Sequence, residues 1–260
     1  TPLYSSAASD VYKRQSPDIA TCDDCLNEIM SAEDRRHGYA FTNCTNCGPR
    51  YTIIEGFPYD RQLTSMKYFE MCPTCNSEYN DPADRRFHAQ PNACEKCGPK
   101  LMFWCDSTIV RLYNRTSALA YQRTEKQQDD AIRRAIDTLS IGDILAIKGL
   151  GGYHLACDAT NDEVVKKLRE RKQRDMKPFA VMVRDLETAR TLCEINEDES
   201  TILTSPRRPI VLLKKKEGIP IADSVAPGNS CLGIILPYTP LHHLLFGSRF
   251  TVHGSRPLVM

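Results

Sequence analysis

The sequence predicts two folds in series: a small module held by two four-cysteine metal cages, then an α/β (α+β) twisted-sheet domain. Three observations carry this. Eight of the twelve cysteines fall in four Cys-x-x-Cys pairs: Cys22/Cys25, Cys44/Cys47, Cys72/Cys75 and Cys94/Cys97. The whole unit recurs fifty residues on, with Asp34-Arg35-Arg36 repeated as Asp84-Arg85-Arg86 and Gly48-Pro49 as Gly98-Pro99, which marks a duplicated unit. Beyond residue 128, short apolar runs bounded by glycine and proline alternate with amphipathic stretches, the pattern of strands alternating with helices.

The cysteine spacing carries its own chemistry. Two cysteines three positions apart on a tight turn aim both sulfurs at one point, and a second such turn closes a tetrahedral thiolate cage with Zn–S distances of about 2.3 Å. Two structural zinc ions are expected. Sequential pairing is the simplest arrangement, and a cross-braced one stays open. His37 and His88 are not needed as ligands. Gly48 and Gly98 follow the closing pairs, where a knuckle turn often needs positive φ. Disulfides would need an oxidising compartment, and Thr1 to Gln15 has no apolar core of the signal-peptide kind. A redox Cys-x-x-Cys normally stands singly beside a βαβ unit.

Composition narrows the function classes. The apolar fraction is 41% over 260 residues, and no apolar run approaches the roughly 18 residues of a membrane span. A cytoplasmic protein with no membrane contact is expected. Residues 16–100 carry nine Lys/Arg against thirteen Asp/Glu, and residues 101–260 carry twenty-three against nineteen. The cysteine module is therefore a poor clamp for nucleic acid, whose affinity rests on positive charge. Any phosphate site belongs to the second half.

Taken in order, residues 1–15 read as a disordered segment that need not belong to the native protein. Residues 16–100 form the tandem four-cysteine zinc-finger module. A helical turn follows each opening pair, and Leu26, Ile29 and Met30 cap the cage with one apolar face, joined by Tyr39 and Phe41. The Asp-Arg-Arg repeats read as local salt bridges bracing each finger, and Arg50 to Lys67 as a β-hairpin-like connector. Residues 101–127 are a linker, with strands conceivable at Leu101 to Cys105 and Ile109 to Tyr113. The second domain, 128–260, opens with a helix over Asp129 to Ser140, whose stripe is Ala131, Ile132, Ala135, Ile136 and Leu139. Gly142 ends it.

A strand at Ile144 to Ile147 runs into the glycine-rich loop Lys148 to His154. Asn161 caps a helix with Val164, Val165 and Leu168 on its apolar side. Further strands are expected at Phe179 to Val183, Pro209 to Leu213 and Leu232 to Leu236, with helices from Asp185 to Cys193 and from Thr239 to Phe246. Pro257 to Met260 starts another strand, so the sequence reads as a fragment truncated inside a sheet. Cys105, Cys157, Cys193 and Cys231 lack metal spacing and read as small core side chains, Cys157 having no activating neighbour beyond His154.

Seven basic residues lie between Lys166 and Lys177. Lys166, Lys167 and Arg169 read as a solvated helix face. Lys172, Arg174 and Lys177 fall past the helix and before a buried strand, where a planar fork and compact charges suit phosphate oxygens. The loop from Lys148 to Gly152 adds a cation and accessible amides, though it is not a Walker loop because no Gly-Lys-Ser/Thr follows. A nucleotide or an acyl phosphate is the ligand class indicated.

The spacing C-x2-C-x18-C-x2-C-x24-C-x2-C-x18-C-x2-C, with the stretches "CTNCGPRYTI", "IKGLGGYHLACDATN", "LRERKQRDMKPFAVMV", "SPRRPIVLL" and "LGIILPYTPLHHLLF", resembles the HypF family of hydrogenase-maturation carbamoyltransferases. The second half is similar to YrdC-like domains. The resemblance covers Ser16 to Met260.

It implies use of ATP and carbamoyl phosphate to form a carbamoyl-adenylate, with delivery to the C-terminal cysteine of HypE for the cyanide ligand of [NiFe]-hydrogenase. It assigns Lys172 and Arg174 to a triphosphate grip, with Lys177 at its edge. Lys148, Gly149, Gly151 and Tyr153 fall in the loop over the acyl end, and Ser205, Arg207 and Arg208 in a segment lining the same cleft. A magnesium ion held by phosphates and water is implied with the ATP. The family's acylphosphatase-like domain, large transferase domain and a further nucleotide-binding segment lie outside the sequence, so this piece alone is not expected to complete the reaction. Two other readings stay open: an RNA-binding module, since YrdC relatives can bind double-stranded RNA, and a threonylcarbamoyl-adenylate type of synthase, whose members lack the cysteine ladder.

Overall fold

A computed structural model describes residues 17–104, 126–247 and 256–260. The disorder expected for residues 1–15, most of the linker, its strand at Ile109 to Tyr113 and the lone Cys105 lie outside the described residues. The chain divides into two compact units, one of the described residues up to Lys100 and one from Leu101 on.

The first unit holds two eight-residue helices, α1 (Asp23–Met30) and α2 (Pro73–Asn80). They do not follow the opening cysteine pairs; they begin inside them. Cys22 and Cys72 are the N-caps, and Cys25 and Cys75 lie one turn in, so the three-residue spacing places each pair on one side of a first helical turn. Pro73 takes the first helical position, where a missing N–H costs nothing. The apolar face is narrower than the sequence predicts. Ile29 is buried, but Met30 is 43% exposed. Tyr39 is buried against half-buried Phe41, ring centroids 5.7 Å apart.

The Asp-Arg-Arg repeats overturn the expectation of local bracing. Arg36 of the first finger donates to both carboxylate oxygens of Glu78 on α2, at 3.0 and 2.5 Å. Its Nε donates to the Ala93 carbonyl at 3.2 Å. In return Arg86 of the second finger pairs with Glu28 on α1, and its Nε donates to the Asn43 carbonyl at 3.1 Å. Only the backbone part of each repeat is local: Asp34 accepts from the Arg36 amide, and Asp84 from the Arg86 amide, each at 2.7 Å. The exchange is reciprocal because each repeat carries the same donor and the same acceptor.

The connector is hairpin-like only at one point, where the Glu55 and Gly56 amides donate to the Leu63 carbonyl. It forms three short 3-10 turns, Tyr51–Ile53, Arg61–Leu63 and Ser65–Tyr68, with one bridge between Ile54 and Thr64. Two of its own arginines, both buried, anchor it to backbone on either side. Arg61 donates to the carbonyls of Gln90, Asn92 and Phe69, and Arg50 to those of Cys44, Thr45 and Pro49. The two knuckle glycines differ. Gly48 has φ +96, as expected. Gly98 is glycine for space: a Cβ there would stand 2.1 Å from the Tyr39 hydroxyl and 2.5 Å from Ala93 Cβ.

The second unit is a six-stranded mixed sheet in the order β1-β2-β6-β3-β5-β4. Helix α3 (Lys126–Ser140) buries the predicted stripe from Ala131 to Leu139, and Gly142, φ +84, follows it. Strands β1 (Leu145–Lys148) and β2 (Tyr153–Asp158) form an antiparallel hairpin with Lys148 opposite Tyr153. The glycine-rich stretch is thus a hairpin turn, closed by Gly149 N–H donating to the Gly152 carbonyl at 2.7 Å. Asn161 caps α4 (Asp162–Lys172) through the Val164 amide, and Asp185 caps α5 (Leu186–Leu192) through Thr188. Strands β3 (Ala180–Met182) and β5 (Cys231–Ile235) are parallel, and β4 (Val211–Lys214) runs antiparallel to β5.

The two-residue strand β6 (Leu258–Val259) joins the halves of the sheet. Val259 pairs with Cys157 on one side and Val181 on the other. Helix α6 (Glu197–Thr204) has no counterpart in the sequence reading, because it buries only Leu203 and so shows no apolar stripe; its signal is the capping box of Asn196 and Glu199. Leu101 to Trp104 form no strand. Cys157 and Cys193 are buried as expected, whereas Cys231 is only partly covered. Helix α7 (Pro240–Phe246), capped by Thr239, fully buries His242.

This packing sets two expectations. Removing one member of a buried ion pair leaves the other uncompensated, at a cost of about 3–5 kcal/mol. Arg86→Ala should therefore destabilise the first unit by that order and Arg36→Ala similarly, read from denaturant midpoints. Burial, with His154 and His243 nearby, brings His242 down to about 3. The unfolded chain, titrating near the ordinary value, then binds the proton that the folded chain refuses. Stability of the second unit should be full above pH ~7 and fall as pH drops from about 6.5 towards 3, by up to about 1.4 kcal/mol per pH unit. His242→Phe should flatten that slope in denaturation curves at pH 7 and 5.

Candidate functional site

The first unit presents two cysteine tetrads, Cys22, Cys25, Cys44 and Cys47, and Cys72, Cys75, Cys94 and Cys97. The sulfurs of each tetrad all lie within 4.8 Å of one another. Pairing is sequential, which excludes the cross-braced alternative. Measured edges are 3.7 Å for Cys22–Cys44, and 3.8 Å for Cys44–Cys47, Cys72–Cys94 and Cys94–Cys97. A tetrahedron with metal–sulfur bonds of about 2.3 Å has edges of about 3.8 Å, so the donor sets fit a zinc-sized ion. Their electrostatics agree. Hydrogen bonding by Cys44 and burial push Cys25 far up, while Cys97 is drawn down to about 4, chiefly by Cys75. Four thiolates this close repel one another, so the sulfurs keep protons among them unless a cation binds. His37 and His88 contribute no ligand to either tetrad.

Each tetrad also receives a guanidinium from the opposite finger. Arg35 Nη2 donates to Cys75 Sγ at 2.8 Å, and Arg85 donates to Cys25 Sγ at 3.3 and 3.4 Å. Hydrogen bonds to thiolate offset part of the negative charge of a four-thiolate site and orient the ligands. Spacing alone did not disclose these donors; the repeated Asp-Arg-Arg was the available signal.

In the second unit the basic segment closes α4. Gln173, φ 48, ends the helix in the left-handed region. Lys172 Nζ, Arg174 Cζ and Arg169 Cζ then stand 5.6, 5.0 and 4.7 Å from the Phe179 ring centroid. Burial lowers the Lys172 ammonium below the ordinary lysine range, and Arg174 adds to it. Among the described residues no carboxylate pairs with Lys172, Arg174 or Lys177. Cations gathered round one ring without counter-ions repel each other, and a polyanion relieves that repulsion.

Arg169 is not on a solvated face. It is 8% exposed, and it donates to five backbone carbonyls: Arg174, Asp175, Lys177, Ser224 and Val225. It thereby fixes the loop that carries Arg174 and Lys177; Lys172, expected past the helix, is instead the last residue of α4. Its spacing after Val165 and Leu168 puts it on the apolar stripe, a signal that was legible. Lys166 and Lys167 are exposed as expected, and Lys166 pairs with Asp162 at 2.7 Å.

Lys148 Nζ lies 5.2 Å from the Tyr153 ring centroid. Gly149 packs on His154: a Cβ there would meet His154 Nε2 at 2.7 Å. Gly151 has open space around it. Helix α4 packs against β2, and burial, then the Lys172 ammonium, lower His154. His154 Nε2 lies 2.9 Å from the Tyr238 hydroxyl. Tyr238 and His242 were not singled out as site residues by sequence reasoning.

Ser205, Arg207 and Arg208 lie between α6 and the edge strand β4. The Ser205 hydroxyl donates to the Ile202 carbonyl at 2.7 Å, and Arg208 Nη1 to the Leu203 carbonyl at 3.2 Å.

Comparison with known proteins agrees with this two-part geometry. The HypF finger model matches residues 21–54 and 71–104. The Sua5/YciO/YrdC model, described as telomere recombination, matches residues 137–259. Carbamoyltransferase HypF of Rhodobacter capsulatus is 49% identical over 243 residues, 94% of this chain and 30% of that protein. The Synechocystis protein of the same name is 50% identical over 229 residues, 88% of this chain and 28% of that protein. The crystal structure of a full-length HypF in a phosphate- and nucleotide-bound form superposes with a TM-score of 0.81 at 47% identity, covering 94% of this chain and 29% of that one. That of T. kodakarensis HypF gives 0.82 at 45%, covering 95% and 30%. The chain thus spans less than a third of the relatives it matches, across both fingers and the sheet unit, and it belongs to the HypF family.

Proposed function

We propose that this segment is the adenylate-forming part of a carbamoyltransferase of [NiFe]-hydrogenase maturation, with its two cysteine tetrads holding structural zinc. The observation that carries the reading is the uncompensated cluster of Lys172 and Arg174 against Phe179, held by Arg169 beside the glycine hairpin. Relatives that bear the name carbamoyltransferase, and one solved with phosphate and nucleotide bound, support it.

In this reading carbamoyl phosphate supplies carbamate, releasing inorganic phosphate on hydrolysis. A carbamate oxygen then attacks the α-phosphorus of ATP, and the bond from that phosphorus to pyrophosphate breaks. The Lys172 ammonium and Arg174 guanidinium neutralise charge gathering on the leaving pyrophosphate, an electrostatic role that needs positioning more than bond chemistry. Lys177 extends the grip, and Lys148, Gly149, Gly151 and Tyr153 cover the acyl end. Ser205, Arg207 and Arg208 complete the nucleotide side. Magnesium, carried by the phosphates and water, shares the charge. The carbamoyl group then passes to the C-terminal cysteine thiol of HypE, with AMP as the leaving group. A cytoplasmic setting suits eight cysteines kept as metal thiolates.

The test is carbamoyl phosphate-dependent exchange of labelled pyrophosphate into ATP, in the full polypeptide that carries this segment. Lys172→Ala with Arg174→Ala should lower the exchange rate by about 10²–10³ or more, since loss of one such stabilising donor costs about that much. Unchanged exchange would remove both residues from the site. For the fingers, elemental analysis should find two zinc ions per chain. A chelator should take both and melt α1 and α2 in far-ultraviolet circular dichroism, because each helix is nucleated at two metal ligands.

A further inference from the structure

The three rings His154, Tyr238 and His242 make a polar cluster that the phosphate grip does not use. Tyr238 and His242 lie edge to face, ring centroids 4.5 Å apart, and His154 and His242 are 6.2 Å apart. His154 bonds the Tyr238 hydroxyl at 2.9 Å, and its ring rests against Gly149, where any side chain would strike it. His242 is fully buried, and neither of its ring nitrogens has a hydrogen-bond partner among the described residues. A neutral imidazole always carries one N–H donor and one lone-pair acceptor. Both are left unmet inside the protein, which native structures avoid unless a ligand or water completes them. Burial, then the Lys172 ammonium, holds His154 below the ordinary histidine range, so this end of the site is kept neutral while the α4 end is cationic.

A neutral cluster with unmet donor and acceptor groups suits a small amide-like group. The carbamoyl end, an amino group on a carbonyl carbon, offers two N–H donors and a carbonyl acceptor and carries no cationic charge. An amino-acid ammonium would be repelled by Lys172 and would find no carboxylate here. We propose that His154, Tyr238 and His242 form the subsite that grips the amino end of the carbamoyl group and sets its specificity. This rests on the adenylate-forming reading above and adds the recognition of the acyl substrate to it.

The discriminating ligand is acetate, which puts a methyl where the amino group of carbamate stands. A site built to hydrogen-bond an N–H rejects an analogue that lacks it by far more than an apolar pocket rejects an extra methylene. Pyrophosphate exchange is measured in the full polypeptide with carbamate and with acetate supplied directly, so that the hydrolysis of carbamoyl phosphate is bypassed. His242→Phe, which keeps the ring but not its nitrogens, should raise the KM for carbamate about 10-fold or more and shrink the preference over acetate by a similar factor. The KM for ATP should stay within about twofold, a split that general loosening of the fold does not give. Tyr238→Phe removes a single oxygen and should shift the same ratio in the same direction, which keeps the test valid if the buried substitution unfolds the unit. Unchanged preference in both folded variants, with Lys172→Ala still impairing exchange, overturns this subsite alone. Absence of carbamoyl phosphate-dependent exchange in the unaltered protein overturns the adenylate-forming reading, and the subsite with it.

Discussion

Buried guanidinium groups hold together the parts of this chain that have no regular secondary structure. Irregular backbone leaves carbonyls without ladder partners, and each buried one must find a donor. Arginine brings five N–H groups in a rigid fork. Arg50 and Arg61 anchor the connector to the fingers, Arg36 and Arg86 tie finger to finger, and Arg169 gathers five carbonyls around the end of α4. The same device serves scaffold and site. In the first unit it supplements a core cluster that is largely cysteine; in the second it shapes the loop after Lys172 that presents Arg174.

This sets where charge can work. Arg169 is committed to carbonyls, so its cation acts as fixed background for the two that remain available. Lys172 and Arg174 share the Phe179 face with it, which lines the site with positive charge while the Gly149 hairpin brings neutral rings to its other side. Polarity therefore changes across one short span of the sheet, from the end of α4 to the start of β2.

Much of this was readable in the sequence. The four Cys-x-x-Cys pairs followed from spacing, since three residues of helix or knuckle dictate where a second sulfur points; which pairs share a cage is settled only by the fold. Strands and helices with a strong period, such as the stripe of α3 or the capped start of α4, fell within a few residues of prediction. What escaped reading was non-local. The partner of Arg36 is forty-two residues away on α2, and nothing in a local window distinguishes it from a surface arginine. Helix α6 escaped because it buries one leucine. Arg169 was misread because its charge outweighed its position, although its place on the Val165–Leu168 stripe argued for burial. Tyr238 and His242 matter only through the fold that carries them to His154, and no spacing encodes that meeting.

The reciprocal arrangement of the fingers has a consequence for how such a chain can change. Glu28 answers to Arg86, and Glu78 to Arg36; each cage also takes a guanidinium from its twin. A lone ancestral copy would have had to satisfy these groups by self-association. Once two copies sat on one polypeptide, neither could be deleted without stranding the carboxylate of the survivor. The duplication acts as a ratchet: easy to enter, and closed behind the lineage that entered it.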